Sequence, residues 1–177
     1  FEDCSMINTA SSDGDSIVLI GMPGAGKSTL GVLLAKALAK RFVDSDLLIQ
    51  ERVQMSLQDY LDRRGYLKLR DVEAEVLKEL PLENTVLATG GSAVYSSEAM
   101  LALKRFGKVV YLSLSYEEIA RRVQDAESRG LASPPGTTLK QIYEERLPLY
   151  DAAGDLRINL NGTTMSEALR VLLNQLS

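Results

Sequence analysis

Short runs of consecutive apolar residues alternate along this chain with longer segments in which apolar residues recur every three or four positions. Uninterrupted apolar runs are typical of strands buried on both faces of a parallel sheet, and the wider spacing is typical of amphipathic helices. The predicted strands are Ser16–Ile20, Arg41–Asp44, Thr85–Thr89, Lys108–Leu114 and Asp155–Leu160. The alternation predicts an α/β domain with a mostly parallel sheet.

Capping patterns mark where several helices begin between these strands. Ser56 with Asp59 predicts that the helical stretch 47–64 consists of two helices. Capping boxes predict further helix starts at Ser115 with Glu118, Thr138 with Gln141, and Thr164 with Glu167. The remaining helices are predicted over Leu30–Lys40, Tyr66–Leu80 and Glu98–Arg105.

The segment 127–136 breaks the pattern because it contains Gly130, Pro134, Pro135 and Gly136, which exclude regular structure. The sequence has no internal repeat and no linker that would divide it. We therefore predict one domain over residues 16–177, preceded by a flexible leader over residues 1–15.

Composition narrows the classes of function. Of 177 residues, 45% are apolar and 25% are charged, which is close to the globular average and argues against disorder. The net charge of −4 gives no cationic footprint for nucleic acid or an anionic membrane. The single cysteine, Cys4, excludes an internal disulfide, and residues 1–15 lack the apolar core of a signal peptide. We expect a cytoplasmic protein that binds neither nucleic acid nor membranes.

The first predicted strand runs directly into Gly21–Ser28, which matches the phosphate-loop pattern G-x-x-x-x-G-K-[ST]. Glycines in such a loop turn successive backbone N–H groups toward one centre, and the following helix adds the positive end of its dipole. Lys27 is predicted to reach the β- and γ-phosphates and Ser28 to bind Mg²⁺, so that ATP and Mg²⁺ are the expected cofactors. The nucleotide is expected to contact Gly24, Ala25, Gly26, Lys27, Ser28 and Thr29.

The loop alone does not name the phosphate acceptor. A GTPase needs an Asn-Lys-x-Asp guanine-binding motif, which this sequence lacks. Of its two D-x-x-G matches, 62–65 falls at the end of a predicted helix and 151–154 just after one, so neither is taken as a GTPase motif. A large ATPase needs a longer chain. These exclusions favour a compact small-molecule kinase.

Asp44 and Asp46 follow the second predicted strand, two residues apart, so their side chains are expected to leave it on the same side. In an open parallel sheet this end faces the ligand crevice beside the phosphate loop. One carboxylate would then hold Mg²⁺ through water while the other accepts the proton of an attacking hydroxyl. The alternative is a solvated turn in which the aspartates cap a helix, and the local sequence favours neither.

Three arginines lie in segments that would reach such an acceptor: Arg70, Arg129 and Arg146. A carboxylate on the acceptor suits a bidentate guanidinium, and an arginine on a mobile segment would stabilise charge on the γ-phosphate. A single arginine is more often a solvated surface charge than a ligand-binding residue. Whether these three bind the acceptor must therefore be judged from the sequence pattern as a whole.

Five segments in order resemble the shikimate kinase family: the phosphate loop, Phe42–Asp46, Leu69–Glu73, Ala88–Gly91 and Arg146–Tyr150. The resemblance covers nearly all of the chain from Ser16 onward. It implies the nucleoside-monophosphate-kinase fold, a three-layer α/β P-loop architecture with a five-stranded parallel sheet between helices. It also implies a mobile lid at about residues 127–137.

The resemblance also implies roles on the acceptor side. Asp46 would grip and activate the acceptor hydroxyl, and Arg70 and Arg146 would clamp the shikimate carboxylate. Gly90 and Gly91 would bring backbone close to the ring of the acceptor.

On the nucleotide side, the resemblance implies that Asp44 is the Mg²⁺-associated aspartate. Arg122 falls where the family stacks an arginine on adenine, and Arg129 matches the lid arginine. The expected reaction is transfer of the γ-phosphoryl group of MgATP to a hydroxyl of a small carboxylated cyclic alcohol, shikimate, by a monomer.

The departures from the family pattern lie around the acceptor, at Ser92, Tyr66, Leu61, Leu69 and the Arg129–Leu131 segment. The family usually has a third glycine at the first position and a glutamate at the second. Three alternatives therefore stay open: a kinase of another carboxylated alcohol or sugar acid, a nucleoside-monophosphate kinase, and a regulatory nucleotide-binding module without transfer activity.

Overall fold

Five parallel strands form the central sheet, in the order β2-β3-β1-β4-β5. Their bounds are β1 Ser16–Ile20, β2 Arg41–Asp44, β3 Thr85–Ala88, β4 Gly107–Ser113 and β5 Leu156–Asn159. All five residues of β1 are buried, because this strand pairs with a neighbour on each side and is covered on both faces. The structure, a computed structural model, confirms the predicted α/β fold and describes residues 14–124 and 131–177. The predicted leader, apart from its last two residues, and Arg129 lie outside the described residues.

Helices flank the sheet and connect its strands. Their bounds are α1 Lys27–Leu38, α2 Ser45–Val53, α3 Leu57–Arg64, α4 Tyr66–Glu79, α5 Ser97–Phe106, α6 Tyr116–Gln124, α7 Leu139–Ala153 and α8 Met165–Leu176. A single 3₁₀ turn over Ala93–Tyr95 precedes α5. Within the described ranges, no helix combines the length and the apolar character needed to cross a membrane.

The predicted helix starts are largely confirmed. The Ser56 hydroxyl accepts a hydrogen bond from the Asp59 backbone N–H and separates α2 from α3. The capping boxes that open α7 and α8, at Thr138 and Thr164, are complete. The first helix begins at Lys27, at the end of the phosphate loop and ahead of the apolar pattern from Leu30, and it ends at Leu38 because Ala39 adopts a left-handed conformation.

The capping box predicted at Ser115 is only half formed. The Ser115 hydroxyl accepts from the Glu118 backbone N–H at 3.3 Å, but the Ser115 N–H donates to Asn161 Oδ1 at 2.8 Å. The Glu118 carboxylate instead pairs with Arg121 and Arg122 one turn further along α6. Two guanidinium partners on its own helix therefore draw Glu118 away from the helix start.

The buried residues form two apolar clusters. The main core lies between the sheet and the helices that cover it, and includes β1, β4 and the buried faces of α1 and α5. A smaller cluster joins α2 to α4 and contains Ile49, Leu69, Val76 and Ala132. Ala132 comes from the segment after residue 130, so the smaller core ties that segment to α4.

The carboxyl ends of β1, β2 and β3 lie side by side, because these three strands are neighbours and run parallel. The phosphate loop follows β1, Asp44 ends β2, and Gly90 and Gly91 follow β3. In an open parallel sheet this edge is where ligands bind. The fold therefore brings the predicted nucleotide and acceptor segments to one place.

Candidate active site

A cleft with a volume of about 800 Å³ opens at this edge of the sheet. The predicted site residues that line it are Gly24, Gly26, Lys27, Ser28, Thr29, Asp44, Asp46, Gly90, Gly91, Arg122 and Arg146. Two further predicted residues do not line it. The Ala25 side chain is buried in the main core, and the Arg70 guanidinium stacks on the ring of Tyr95.

The phosphate loop has the backbone that an anion cradle needs. Gly24 and Gly26 have φ angles of 82° and 89°, in the left-handed region that favours glycine. Gly26 is the N-cap of α1 and has no side chain to satisfy the first backbone N–H groups of that helix. Free N–H groups at the positive end of a helix dipole bind phosphate, so the loop fits a nucleotide triphosphate.

Lys27 lies at the base of the cleft with 8% of its surface exposed. Its ammonium donates to the Gly21 and Met22 carbonyls, both at 2.8 Å. Burial lowers the pKa of Lys27 to about 8, while the Asp46 carboxylate acts in the opposite direction. An anionic phosphate placed here would favour the charged form, because it supplies the opposite charge that burial removes.

Ser28 and Asp44 form a pair suited to Mg²⁺. The Ser28 hydroxyl donates to Asp44 Oδ2 at 2.6 Å, so that two oxygen atoms of the kind Mg²⁺ prefers lie in contact. Among the described residues no group of three or more His, Cys, Asp or Glu side chains is placed to hold a metal. Mg²⁺ in kinase sites takes few protein ligands and keeps waters and substrate phosphates, so the pair fits it.

Asp44 and Asp46 do not leave an extended strand on the same side, as the sequence predicted. Asp44 ends β2, and its Oδ1 caps α2 by accepting from the Asp46 backbone N–H at 3.0 Å. Asp46 already belongs to the first turn of α2, because the chain turns into a helix at Ser45. Both side chains still line the cleft, and Asp44 serves as a helix cap and as the partner of Ser28.

Gly90 and Gly91 are fixed by hydrogen bonds from neighbouring elements. The Gly90 N–H donates to the buried Ser45 hydroxyl at 3.1 Å, and the Tyr150 hydroxyl donates to the Gly91 carbonyl at 2.6 Å. A Cβ at Gly90 would lie 3.0 Å from Asp46 Oδ1 and would overlap the Glu73 carboxylate. The absent side chain is therefore what lets two carboxylates share this corner of the cleft.

Glu73 was missed as a site residue in the sequence. It is 3% exposed, its Oε2 accepts from the Ser92 hydroxyl, and its Oε1 has no hydrogen-bond partner among the described residues. Burial raises the pKa of Glu73 to about 7, and the nearby Asp46 adds to the rise. The available signal was its position on α4, where Leu69, Glu73, Val76 and Leu77 form one buried stripe.

Replacing Glu73 by glutamine is expected to flatten the pH dependence of stability. Because the folded-state pKa is raised from 4.5 to about 7, Glu73 stabilises the fold fully below pH 4.5 and loses this contribution as pH rises through 7. The free energy of unfolding should therefore fall by roughly 2 kcal/mol more in the parent than in Glu73→Gln between pH 5 and pH 8. Urea unfolding measures this difference.

Glu75→Gln is the matched control for this prediction, since Glu75 lies on the same helix and is exposed. This substitution should leave the pH dependence of the free energy of unfolding as it is in the parent. Parallel curves for the parent and Glu73→Gln would show that Glu73 does not gain its proton in the folded state.

Arg70 and Arg146 come together from α4 and α7. Arg70 Nε and Arg146 Nη2 both donate to the Ala132 carbonyl, at 3.0 and 3.4 Å. Arg146 is 1% exposed, and its other acceptors are also neutral, the Tyr95 and Ser133 hydroxyls. A buried guanidinium surrounded by neutral acceptors is suited to receive an anion.

Arg122 lies on the nucleotide side of the cleft. Its Nε donates to Glu118 Oε1 at 2.8 Å and its Nη1 to the Gly24 carbonyl at 3.2 Å. A Cβ at Gly26 would contact Met165 Cε at 3.5 Å and Arg122 Nη1 at 3.9 Å, so both side chains border the phosphate loop. Arg122 is therefore in reach of a bound nucleotide, whereas the place of Arg129 lies outside the described residues.

The comparisons with known proteins agree on one family. The family model described as shikimate kinase matches residues 23–177. The shikimate kinase of Paracidovorax citrulli (strain AAC00-1) is 42% identical over 149 residues, which cover 81% of each chain. That of Synechococcus sp. (strain RCC307) is 36% identical over 166 residues, covering 92% of this chain and 85% of the relative.

Solved structures extend this likeness to three dimensions. Shikimate kinase from Acinetobacter baumannii in complex with shikimate superposes with a TM-score of 0.83 at 30% identity, covering 91% of this chain and 92% of that one. Deoxyadenosine kinase from M. mycoides superposes with a TM-score of 0.61 at 11% identity, covering 91% and 98%, and shares the fold alone. By sequence and by structure, this chain belongs to the shikimate kinase family.

Proposed function

We propose that this chain transfers the γ-phosphoryl group of ATP to a hydroxyl of shikimate within the cleft. The observation that carries the proposal is that the phosphate loop with Lys27 opens onto the same cleft as Asp46, Gly90 and Arg146. A phosphate cradle and a carboxylate-binding arginine thus face one space, which is what a kinase of a carboxylated alcohol requires.

On the nucleotide side, the loop N–H groups and Lys27 would bind the phosphates. Ser28 and Asp44 would hold Mg²⁺, which when bound neutralises charge on the phosphate oxygens. Lys27 would leave the Gly21 and Met22 carbonyls to contact the phosphates, which provide a stronger, charged acceptor for its ammonium.

On the acceptor side, Asp46 would orient the attacking hydroxyl. As the hydroxyl oxygen bonds to the γ-phosphorus, the bond from that phosphorus to the β–γ bridging oxygen breaks, and ADP leaves. The hydroxyl proton passes to the Asp46 carboxylate. Transfer of this kind has a loose transition state, so positioning and charge neutralisation contribute more than base strength.

Arg70 and Arg146 would bind the carboxylate of the acceptor. Arg70 Nη2 is buried and has no hydrogen-bond partner among the described residues, so one donor remains for a ligand. A carboxylate on the acceptor would give each guanidinium group a charge-assisted hydrogen bond.

Arg70→Ala is expected to raise the shikimate KM by about tenfold or more, because one of two charged contacts to the carboxylate is lost. The KM for ATP should change less than about twofold, since the described contacts of Arg70 are to Ala132, Tyr66 and Tyr95 and not to the phosphate loop. Steady-state ADP release at varied concentrations of each substrate measures both values.

Arg64→Ala, a substitution of an exposed arginine at the end of α3, is the control and should leave both KM values unchanged. An unaltered shikimate KM in Arg70→Ala would remove the carboxylate clamp from the proposed mechanism.

The test of the function itself is ADP release across a panel of shikimate, other carboxylated alcohols, sugar acids and nucleoside monophosphates. Turnover with shikimate far above every other acceptor is the expected result. Turnover of another compound without shikimate would redirect the proposal to that acceptor, and Ser92 and Leu69, which line the cleft, would be the first candidates for the change. ATP binding without turnover of any acceptor would contradict transfer activity.

We further propose that the protein acts as a monomer in the cytoplasm and binds neither nucleic acid nor membranes. The net charge of −4 gives no attraction to polyanions. Light scattering tests the first point, with an expected mass near 19.4 kDa.

A further inference from the structure

Tyr95 contacts both arginines of the acceptor side. It ends the 3₁₀ turn that follows Gly90 and Gly91. Its ring centroid lies 3.7 Å from Arg70 Cζ and 5.3 Å from Arg146 Cζ, and its hydroxyl accepts from Arg146 Nε at 3.3 Å. One side chain on a turn beside the acceptor pocket thus bridges two helices, α4 and α7.

The ring provides a face on which the Arg70 guanidinium stacks. A guanidinium over the face of an aromatic ring is attracted by the negative potential there, and the attraction grows when water is excluded. Arg70 Nε is occupied by the Ala132 carbonyl, while Nη2 is buried without a partner among the described residues. Stacking therefore holds the guanidinium plane while leaving a donor for the ligand.

The hydroxyl provides a directional contact to Arg146. A phenol has one proton to donate, and Tyr95 donates it to Glu145 Oε1 at 2.5 Å. The lone pairs of the oxygen are then left to accept from Arg146 Nε. The exposed Glu145 side chain thus determines that Tyr95 faces Arg146 as an acceptor.

We propose that Tyr95 is a positioning and specificity-determining residue, which sets Arg70 and Arg146 at the spacing and orientation that a carboxylate on the acceptor requires. The inference rests on the proposed function, in which these two arginines bind that carboxylate. Tyr95 acts through the arginines rather than on the reacting atoms, so its effect falls on acceptor binding and not on transfer.

Two substitutions of Tyr95 separate the contribution of its ring from that of its hydroxyl. Tyr95→Leu removes both, and is expected to raise the shikimate KM about tenfold. Tyr95→Phe keeps the stacked ring and loses the two hydroxyl contacts, to Arg146 and to Glu145, and is expected to raise this KM about threefold. The KM for ATP and kcat should stay within about twofold in both variants, a division that a general loss of structure would not give.

Tyr116→Phe is the matched control, because Tyr116 is also partly buried but its ring packs against Tyr143, away from both arginines. It should leave all three constants unchanged. A double-mutant cycle then tests the route of action: in an Arg70→Ala background, Tyr95→Leu should raise the shikimate KM by clearly less than tenfold, because part of its effect acts through Arg70.

The outcomes are distinguishable. Absence of shikimate phosphorylation by the parent protein would overturn the proposed function, and an unaltered KM in Arg70→Ala would overturn the clamp. If both hold, an unchanged shikimate KM in Tyr95→Leu, or full additivity in the cycle, would overturn the role of Tyr95. Should Tyr95→Leu fail to fold, Tyr95→Phe decides, and an unchanged shikimate KM in that variant would overturn the proposal.

Discussion

Replacing Lys27 by methionine is expected to lower kcat for phosphoryl transfer roughly a thousandfold or more while the protein stays folded. The ammonium is the cation that the phosphate loop places at the base of the cleft, where only 8% of the side chain is exposed. Charge stabilisation is strong in such a water-poor site, and methionine has a similar length but no charge. Coupled measurement of ADP release gives the rate.

Folding of Lys27→Met should be affected only modestly. The substitution leaves the Gly21 and Met22 carbonyls without their ammonium donor, which costs about 1–3 kcal/mol for groups that water does not reach. Lys36→Met, an exposed change on the same helix, is the control and should keep parental turnover. Near-normal turnover of Lys27→Met would show that the loop does not bind the transferred phosphate in this way.

Asp46→Asn is expected to lower kcat about a hundredfold or more, with a small effect on the KM for ATP. Asparagine keeps the size of the side chain and the backbone N–H that donates to Asp44, so α2 remains capped. It removes the carboxylate that would orient the hydroxyl and take its proton. Steady-state ADP release at saturating concentrations of both substrates measures kcat.

Asp62→Asn provides the comparison for this change. Asp62 is an exposed aspartate on α3 that accepts a hydrogen bond from Gln58, and its substitution should leave kcat unchanged. A kcat for Asp46→Asn within a few-fold of the parent would mean that Asp46 neither orients the acceptor nor receives its proton.

Local sequence patterns were sufficient to predict most of the fold. β1 and β2 have the predicted bounds, and three of the predicted caps, at Ser56, Thr138 and Thr164, form as expected. These features depend on residues within a few positions of one another, so a linear pattern contains them. The phosphate loop was predictable for the same reason.

The parts of the site that were missed depend on contacts between distant segments. Glu73 is buried by Ser92, Gly90 and their neighbours, and Tyr95 lies between helices that are 76 residues apart at Arg70 and Arg146. A charged residue on an amphipathic helix and a tyrosine in a turn have no local feature that distinguishes them from surface residues. Only the tertiary arrangement gives them a possible role.

The Ala132 carbonyl competes with the carboxylate of the acceptor, and this competition lowers the measured affinity. It occupies donors of both arginines, and it is covalently attached to them through the same chain, so its local concentration is high and constant. A carboxylate that pairs with those donors must displace this built-in competitor. A contact to Arg70 Nη2 displaces nothing, but a contact to Arg70 Nε or Arg146 Nη2 exchanges one oxygen for another, so its part of the measured dissociation constant reports only the difference between the two.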